Sequence, residues 1–332
     1  MVKHILEKLI NKTSLTESES YDFMKSTMMG KVTDIQLSGV LIALRVKKEN
    51  SDEVTGFARA MREKMIKIDL DHEAIDMCGT GGDYHGTFNI STAACFVTAG
   101  AGVKIAKHGN KAISSSSGSA DVLESLGIRI NKSVAESKSD IKNHNLGFMF
   151  APSYHPAMKY AMNVRNDLKL KTVFNILGPL CNPALVKSQA MGTFDKNLTE
   201  IQAKVLKNLG SKNVMTFCSD DGLDELTTTG KTKVTQFING GKIKSFEFEP
   251  ESIGLKRSNI NDLKGGTPDQ NAKIIIEILK GADGPKTDIV LLNAAAGIIV
   301  GGKAENFQDA FKIAKLSIEN GNAIKVLEGL RS

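Results

Sequence analysis

The stretch Cys78-Gly79-Thr80-Gly81-Gly82-Asp83 follows the apolar run Ala74 to Cys78 and precedes Asn89-Ile90-Ser91-Thr92, which opens a helical pattern. Glycines at such a turn let backbone N–H groups approach an anion, and a helix N-terminus adds unpaired donors and a favourable dipole. A tight strand-to-helix turn capped by Ser91 explains the same residues without a ligand. The stretch therefore predicts a strand, a glycine-rich loop and a helix, and leaves anion binding open.

Two familiar nucleotide-binding loops do not match this glycine-rich stretch. A Walker A loop is excluded because no Gly-Lys-Ser/Thr follows, and a dinucleotide fingerprint is excluded because its sixth position is Tyr84. If the loop binds phosphate, it does so in another way.

Short apolar runs alternate with helical patterns from about residue 73 onward. The runs predicted as strands are Ala74 to Cys78, Val103 to Ala106, Gly127 to Ile130, Gly147 to Phe150, Val214 to Cys218 and Ile289 to Leu292. The helical patterns are Ser91 to Ala99, Ser133 to Asn143, Thr199 to Leu209, Asn271 to Leu279 and Glu305 to Glu319. Val234 to Ile238 and Ile243 to Phe248 predict an antiparallel hairpin. This alternation predicts an α/β fold with a mostly parallel central sheet covered by helices.

The first 70 residues differ in texture from the rest of the chain. They contain 3 of the 30 glycines and no proline, and their apolar residues recur at helical spacing. Capping-box patterns begin at Thr16 and Thr33, and Ser51 is the expected N-cap of the next helix. We therefore expect four helices in a small all-helical N-terminal domain, 1–70, followed by an α/β domain, 73–332.

Composition narrows the function classes. The chain has 332 residues, of which 41% are apolar and 24% charged, as is ordinary for a folded globular protein. A net charge of +6 spread over this length does not mark a nucleic-acid binder, and the absence of Trp argues against stacking platforms.

The sequence favours a cytoplasmic protein with no membrane-spanning segment. Residues 1–12 interleave charged and apolar side chains, so they have no signal-peptide core. The longest apolar stretches, near 93–106 and 289–300, are too short to span a bilayer. The four cysteines form no CxxC pair, which fits a reducing compartment.

A second polar cluster begins where the next predicted strand ends. It comprises Lys107 to Lys111 and Ser114 to Asp121, which include four successive serines beside lysines and glycines. An ordinary flexible serine loop is the alternative interpretation. Because loops that leave adjacent parallel strands converge on one crevice, the two clusters together predict a single polyphosphate site.

An acidic cluster follows the strand that ends at Cys218. It consists of Asp220, Asp221, Asp224 and Glu225. Carboxylates beside a phosphate cradle commonly hold Mg²⁺, whereas a solvated acidic turn is the alternative.

The remaining candidates are His155 in Tyr-His-Pro, Arg165, and the segment Phe174 to Pro183. A histidine before proline is most often structural, and a helical arginine is most often a surface charge. The Gly-Pro and Asn-Pro pairs indicate a rigid, non-helical crossing.

Taken in order along the chain, these motifs resemble the anthranilate phosphoribosyltransferase family. The motifs that carry the resemblance are Gly79 to Asp83, Asn89 to Thr92, Lys107 to Asn110, Gly118 to Asp121, Phe174 to Pro183 and Asp224-Glu225. The resemblance implies transfer of the phosphoribosyl group from phosphoribosyl diphosphate to the amine of anthranilate, with release of diphosphate, in tryptophan biosynthesis.

The resemblance also implies a fold of the nucleoside phosphorylase and phosphoribosyltransferase type. In that fold a returning segment near 165–185 joins the small helical domain, the active site lies in a hinge cleft, and the chain forms a homodimer through the helical domain. No nucleic-acid or membrane partner is expected.

Site residues follow from the resemblance position by position. Those expected at the phosphoribosyl diphosphate site are Gly79, Gly82, Asp83, Thr87, Asn89, Ile90, Ser91, Thr92, Lys107, His108, Gly109, Asn110, Lys111, Ala112, Ile113, Ser114, Ser115 and Ser119. Those expected at the anthranilate site are Gly79, His108, Asn110, His155 and Arg165, with Arg165 facing the carboxylate. Two Mg²⁺ ions per site are implied, one bound with the help of Ser91 and one by Asp224 and Glu225.

The sequence departs from the family pattern at two places. Lys111 replaces the arginine that usually follows Lys-His-Gly-Asn, and the usual Gly-x-Arg-Thr reads Lys169-Leu170-Lys171-Thr172. Positive charge is kept at both places, but the planar guanidinium fork is lost.

Two alternatives remain beside this interpretation. A pyrimidine nucleoside phosphorylase shares the fold, although Asp224-Glu225 and the Lys107 to Asn110 motif argue against it. The other is a non-catalytic relative that binds nucleic acid.

Overall fold

The computed structural model describes residues 1–82, 85–112 and 117–331. The predicted site residues Asp83, Ile113, Ser114 and Ser115 lie outside these ranges.

Four helices form the N-terminal part, as the apolar spacing predicts. They are α1 (Val2–Ile10), α2 (Glu17–Met28), α3 (Asp34–Lys47) and α4 (Ser51–Lys64). The capping boxes at Thr16 and Thr33 are both present. The expectation for α4 is wrong by one residue: its N-cap is Asn50, whose Oδ1 accepts the N–H groups of Asp52 and Glu53, and Ser51 is the first helical residue.

A seven-stranded sheet forms the centre of the rest of the chain, with the strand order β3-β2-β1-β4-β5-β6-β7. Its strands are β1 (Ile75–Gly79), β2 (Ile105–Gly109), β3 (Leu146–Phe150), β4 (Ser188–Gly192), β5 (Asn213–Ser219), β6 (Thr232–Phe237) and β7 (Lys244–Phe248). The first five run parallel, and the β6–β7 hairpin adds antiparallel strands at one edge. The mostly parallel α/β architecture is confirmed.

Further helices lie between and after the strands, some packed on the sheet and others on the N-terminal helices. They are α5 (Ile90–Gly100), α6 (Ser119–Ser125), α7 (Val134–His144), α8 (Ala151–Tyr154), α9 (Lys159–Leu168), α10 (Val173–Leu177), α11 (Lys196–Asn208), α12 (Pro268–Leu279), α13 (Pro285–Val300), α14 (Phe307–Glu319) and α15 (Asn322–Arg331). Short 3₁₀ turns lie at Pro156–Met158, Gly178–Leu180, Pro250–Ile253 and Ile260–Leu263.

Two predicted strands are wrong, and one strand was not predicted. Residues 127–130 form a loop, and residues 289–292 lie inside α13, which is buried almost throughout. A continuous apolar run gives no periodicity with which to distinguish a buried helix from a buried strand. The unpredicted β4 contains no β-branched residue, so its strand conformation depends on pairing with its two neighbours, β1 and β5.

The buried apolar side chains of the described residues form two large clusters and a smaller third one. One large cluster lies between the sheet and helices α5, α12 and α13. The other large cluster joins α1–α4 to buried residues between Ala161 and Cys181, such as Phe174 and Leu177. Among the described helices, none combines the length and apolar character needed to cross a membrane.

Candidate active site

The predicted loops meet at one edge of the sheet. β1 ends at Gly79, β2 ends at Gly109, and α5 begins at Ile90 directly after the first loop. Because these neighbouring strands are parallel, both loops leave from their carboxyl ends and face the same crevice.

The glycines of the first loop allow Asp224 to pack against it. A Cβ added at Gly79 would lie 2.9 Å from Asp224 Cγ and nearer still to its Oδ2, and a Cβ at Gly192 would overlap the Asp224 carbonyl. The backbone N–H of Gly81 donates to Asp224 Oδ2 at 2.6 Å. The missing side chains therefore bring an acidic residue onto the glycine-rich loop.

Glu225 lies at the N-terminus of α5. Its Oε1 accepts the backbone N–H of Ser91 at 3.0 Å, and both carboxylates of the Asp224–Glu225 pair are more than nine-tenths buried. The other two acidic residues of the predicted cluster point elsewhere: Asp220 pairs with Lys196, and Asp221 accepts from Ser219 and Thr229. Of the four carboxylates, Asp224 therefore contacts the described part of the loop and Glu225 the first turn of α5.

The donor set at this point fits Mg²⁺. Two carboxylates and the Ser91 hydroxyl are hard oxygen ligands. Within the described residues no group of three His, Cys, Asp or Glu side chains could enclose a metal by itself. Mg²⁺ commonly completes its coordination with substrate phosphate oxygens and water, so a protein site with two carboxylates is sufficient.

The second loop is closed at its base by Asp121. The Asp121 Oδ2 atom accepts the backbone N–H groups of Ala112 at 2.8 Å and Gly118 at 2.9 Å. The Ser119 hydroxyl donates to the carbonyl of Asn110 at 3.3 Å. These bonds bring the two described ends of the loop together at the start of α6.

Asn89 joins the two loops. Its Nδ2 donates to the Ser117 carbonyl, and its Oδ1 accepts from the Ser117 hydroxyl and from Asn271, each at 3.0 Å. Asn271 lies in a predicted helix, but nothing in the sequence indicated this contact.

Three other residues of the predicted substrate site lie in the first loop and in α5. Thr87 pairs with Lys264 through an isolated β-bridge, and the side chains of Ile90 and Thr92 are buried in the core.

Two predicted lysines point away from the loops. Lys107 is 3% exposed, and its ammonium donates to the Met77 carbonyl at 2.7 Å behind the glycine-rich loop. Lys111 is exposed and pairs with Glu124 of α6 at 2.8 Å.

Two predicted histidines do meet. The rings of His108 and His155 lie 5.0 Å apart, and each is 9% exposed. Burial lowers the pKa of His108 to about 3 and that of His155 to about 4, so both are neutral near pH 7. His108 donates to the Gly178 carbonyl and His155 to the Cys181 carbonyl, whereas neither Nε2 atom has a hydrogen-bond partner among the residues that the structure describes.

The other predicted anthranilate residues lie at different depths. The Arg165 guanidinium lies over the Phe174 ring at 5.6 Å from its centroid, and burial lowers its pKa. Asn110 is exposed at the end of β2.

Side chains not singled out from the sequence hold the crossing segment 178–181. Besides the two histidines, Gln189 donates to the Pro179 carbonyl and Arg62 to the Leu180 carbonyl, each at 2.7 Å. All four carbonyls thus have side-chain donors from separate parts of the chain. The Gly-Pro and Asn-Pro pairs were the local signals, but the predicted non-helical crossing is wrong at Gly178–Leu180, which form a 3₁₀ turn directly after α10.

Both halves of this architecture match a described family. Residues 3–65 match the helical bundle domain of the glycosyl transferase family, and residues 71–324 match its a/b domain. Fold and site together therefore define a glycosyl transferase with these two parts.

Similarity to named proteins identifies the family within the glycosyl transferases. Anthranilate phosphoribosyltransferase from Thermoanaerobacter sp. (strain X514) is 46% identical over 328 residues, which cover 98% of this chain and 97% of that protein. The chain belongs to the anthranilate phosphoribosyltransferase family.

Solved structures of that name have the same fold. The protein from Thermus thermophilus superposes with a TM-score of 0.91 at 37% identity, covering 99% of both chains. The protein from Saccharomyces cerevisiae, solved in complex with PRPP and Mg, has a TM-score of 0.89 at 29% identity, covering 99% of this chain and 96% of that one. Another structure of the yeast protein contains 4-fluoroanthranilate.

Proposed function

We propose that this protein transfers the phosphoribosyl group of 5-phosphoribosyl 1-diphosphate to the amine of anthranilate, giving N-(5-phosphoribosyl)anthranilate and diphosphate, in L-tryptophan biosynthesis. The observation that carries the proposal is the seating of Asp224 and Glu225 on the glycine-rich loop and on the first turn of α5. The family membership supports this activity over a nucleoside phosphorylase or a nucleic-acid-binding relative.

The reaction is a displacement at the anomeric carbon of ribose. The bond from C1 to the diphosphate oxygen breaks, the bond from the anthranilate nitrogen to C1 forms, and the amine then releases a proton. Negative charge builds on the leaving group, and Mg²⁺, when bound, neutralises part of it. In the structure the Gly81 and Ser91 N–H groups donate to Asp224 and Glu225. They would stabilise part of the remaining charge once the substrate and Mg²⁺ draw those carboxylates away.

The chain needs no nucleophilic side chain for this chemistry. The aromatic amine is largely unprotonated near neutral pH, so the protein's task is to bind and orient the two substrates and to exclude water. Arg165 suits the anthranilate carboxylate because its charge is partly buried and its orientation is held over Phe174. His108 and His155, both neutral, provide an uncharged wall.

We propose the following roles for the residues of the site. Two Mg²⁺ ions would bind per site, one with Ser91 and one with Asp224 and Glu225. The diphosphate and ribose would contact the two loops and the start of α5, including the predicted residues outside the described ranges. For Lys107, contact with the substrate would require its ammonium to leave the Met77 carbonyl.

We also propose a homodimer formed through the helical part, with a domain boundary near residue 70 and a segment near 165–185 returning to the first domain. The core that Phe174 and Leu177 share with α1–α4 supports the return of that segment. The four cysteines, all free and buried, support work in the reducing cytoplasm. Light scattering of the purified protein measures the oligomeric state.

The proposed activity is tested by the fluorescence of anthranilate. Purified protein with phosphoribosyl diphosphate and Mg²⁺ is expected to consume the fluorescence and release diphosphate in equal amounts. Persistence of the fluorescence at every substrate ratio would refute the activity.

The second metal role is tested with the double variant Asp224→Asn, Glu225→Gln. We expect turnover to fall at least about a hundredfold and the Mg²⁺ concentration needed for half-maximal rate to rise. Asp309→Asn, which changes an exposed carboxylate on α14, is the control and should match the wild type. An unchanged Mg²⁺ response in the double variant would remove this role.

A further inference from the structure

Lys171 contacts the glycine-rich loop from another part of the chain. It lies between α9 and α10, and its ammonium donates to the Gly82 carbonyl at 2.6 Å. The same ammonium lies 4.0 Å from the centroid of the Phe194 ring, just beyond β4. A Cβ added at Gly82 would lie 3.0 Å from Lys171 Cε, so the lysine stem packs directly on the loop.

Each described residue of the loop has an anchor. Gly79 and Gly81 contact Asp224, as described above. Thr80 donates its backbone N–H to the Gly192 carbonyl, and its hydroxyl oxygen accepts from the N–H of Phe194, both at 3.1 Å. Gly82 is held by Lys171. The anchors of the first three come from the strands and loops of the sheet, whereas Lys171 comes from the segment that packs with the helical part.

The charge of Lys171 matters because of what the loop would bind. A carbonyl oxygen carries partial negative charge and repels a diphosphate, whereas N–H groups attract it. An ammonium bonded to the Gly82 carbonyl draws that oxygen to itself and adds positive potential beside the loop. The Phe194 face holds the cation in place, and φ values of +67° at Gly81 and +77° at Gly82 require glycine for this backbone path.

We propose that Lys171 is a positioning residue for the phosphoribosyl diphosphate site, which sets the orientation of the Gly82 peptide and links the α9–α10 segment to the diphosphate-binding loop. The inference rests on the proposed function, because it takes the loop to bind that substrate. The lysine ammonium makes this hydrogen bond to the Gly82 carbonyl as a single compact donor, and an arginine at position 171 can donate to the same carbonyl.

The test compares Lys171→Met with Lys169→Met. Both variants remove one positive charge from the connection between α9 and α10, but the Lys169 side chain is exposed to solvent. For Lys171→Met we expect the KM for phosphoribosyl diphosphate to rise about tenfold or more, as for a lost charge-assisted hydrogen bond, while the KM for anthranilate changes less than about twofold. Lys169→Met should match the wild type in both constants.

Two further variants keep the inference testable if Lys171→Met folds poorly. Lys171→Arg should restore the KM for phosphoribosyl diphosphate to within about threefold of the wild type, and Phe194→Leu should raise it by an intermediate factor. Equal changes in both KM values, or an unchanged KM in Lys171→Met, would overturn the positioning role.

Calorimetric binding of phosphoribosyl diphosphate with Mg²⁺ separates this inference from the proposed function. A roughly tenfold weaker affinity of Lys171→Met supports the role of Lys171 even if the wild type fails to consume anthranilate. Equal affinities of variant and wild type refute it even if the enzyme is active.

Discussion

Gly79 decides where the Asp224 carboxylate lies, because the two residues approach more closely than any side chain at position 79 would permit. The Gly81 N–H then fixes one carboxylate oxygen at 2.6 Å. The position of a proposed metal ligand thus depends on a residue that has no side chain and lies in a different loop.

Gly79→Ala should therefore reduce activity strongly. The added methyl group must push the Asp224 carboxylate aside, and a displacement of about 1 Å at a reacting centre costs on the order of a hundredfold in rate. Gly230→Ala is the matched control, since a Cβ there meets nothing within 4 Å. Steady-state kinetics with a thermal melt measures both variants, and a Gly79→Ala rate within about threefold of wild type would contradict the packing argument.

The two buried histidines should make stability depend on pH. Burial lowers the pKa of His108 to about 3 and of His155 to about 4, from an ordinary value of 6.5. Below pH 6.5 the unfolded chain binds protons that the folded chain does not, so the stability contribution is complete above pH 6.5 and is lost as pH falls through the folded pKa values. Asp76 acts in the opposite sense between pH 6 and 3.8, because burial raises its pKa to about 6.

His155→Gln measures this dependence. Between about pH 6 and 4.5 its free energy of unfolding should fall less steeply with decreasing pH than that of the wild type, by up to about 1.4 kcal/mol per pH unit. Urea titrations at several pH values give the slopes. Identical slopes would mean that His155 takes up its proton without unfolding.

Helix α4 illustrates how an element boundary depends on one side chain. Asn50 and Ser51 are both good N-cap residues, and local preference does not choose between them. In the structure the Asn50 side chain accepts two backbone N–H groups and the Asn50 N–H donates to the Glu53 carboxylate in return, whereas the Ser51 hydroxyl donates to Asp52. The Glu53 carboxylate, which also binds Lys47 and the Leu15 N–H, holds the helix in this register.

Asn50→Ala should accordingly lower the free energy of unfolding by about 1 kcal/mol, because the first turn loses its cap. Ser51→Ala, its neighbour, should cost less than Asn50→Ala, because it removes one side-chain bond, to Asp52, and no cap. Denaturant titrations of the two variants measure both losses of stability. A larger loss for Ser51→Ala than for Asn50→Ala would show that Ser51 is the N-cap.

The molecule as a whole is held at the crossing segment 178–181. Four successive carbonyls accept hydrogen bonds from Arg62 of α4, His108 of β2, His155 and Gln189 of β4. The sheet and the helical part are thereby fastened to the same four peptides, which border the proposed anthranilate site.

Arg62→Met should weaken this connection. It removes a hydrogen bond of 2.7 Å between a largely buried guanidinium and the Leu180 carbonyl, a loss of about 1.5–3 kcal/mol. Arg59→Met changes an exposed arginine on the same helix and should cost less than about 1 kcal/mol. Thermal unfolding measures both, and equal costs would show that the Arg62 bond contributes no more than a surface contact.

The sequence by itself determined the features that depend on near neighbours. Capping boxes, glycine-rich turns and the spacing of apolar residues predict four helices, a strand-loop-helix unit and a mostly parallel sheet, because these signals act within a few residues. Ordered motifs along the chain also indicated the family.

Only the tertiary structure decided the rest. It placed the Asp224 carboxylate on the Gly81 N–H, turned the Lys107 ammonium to the Met77 carbonyl, made residues 289–292 helical and brought Lys171 onto Gly82. Gly81 and Asp224 are 143 positions apart in the chain, so their contact depends on how the strands are ordered in the sheet. Burial and close approach arise from such distant contacts, and local residue preferences carry no record of them.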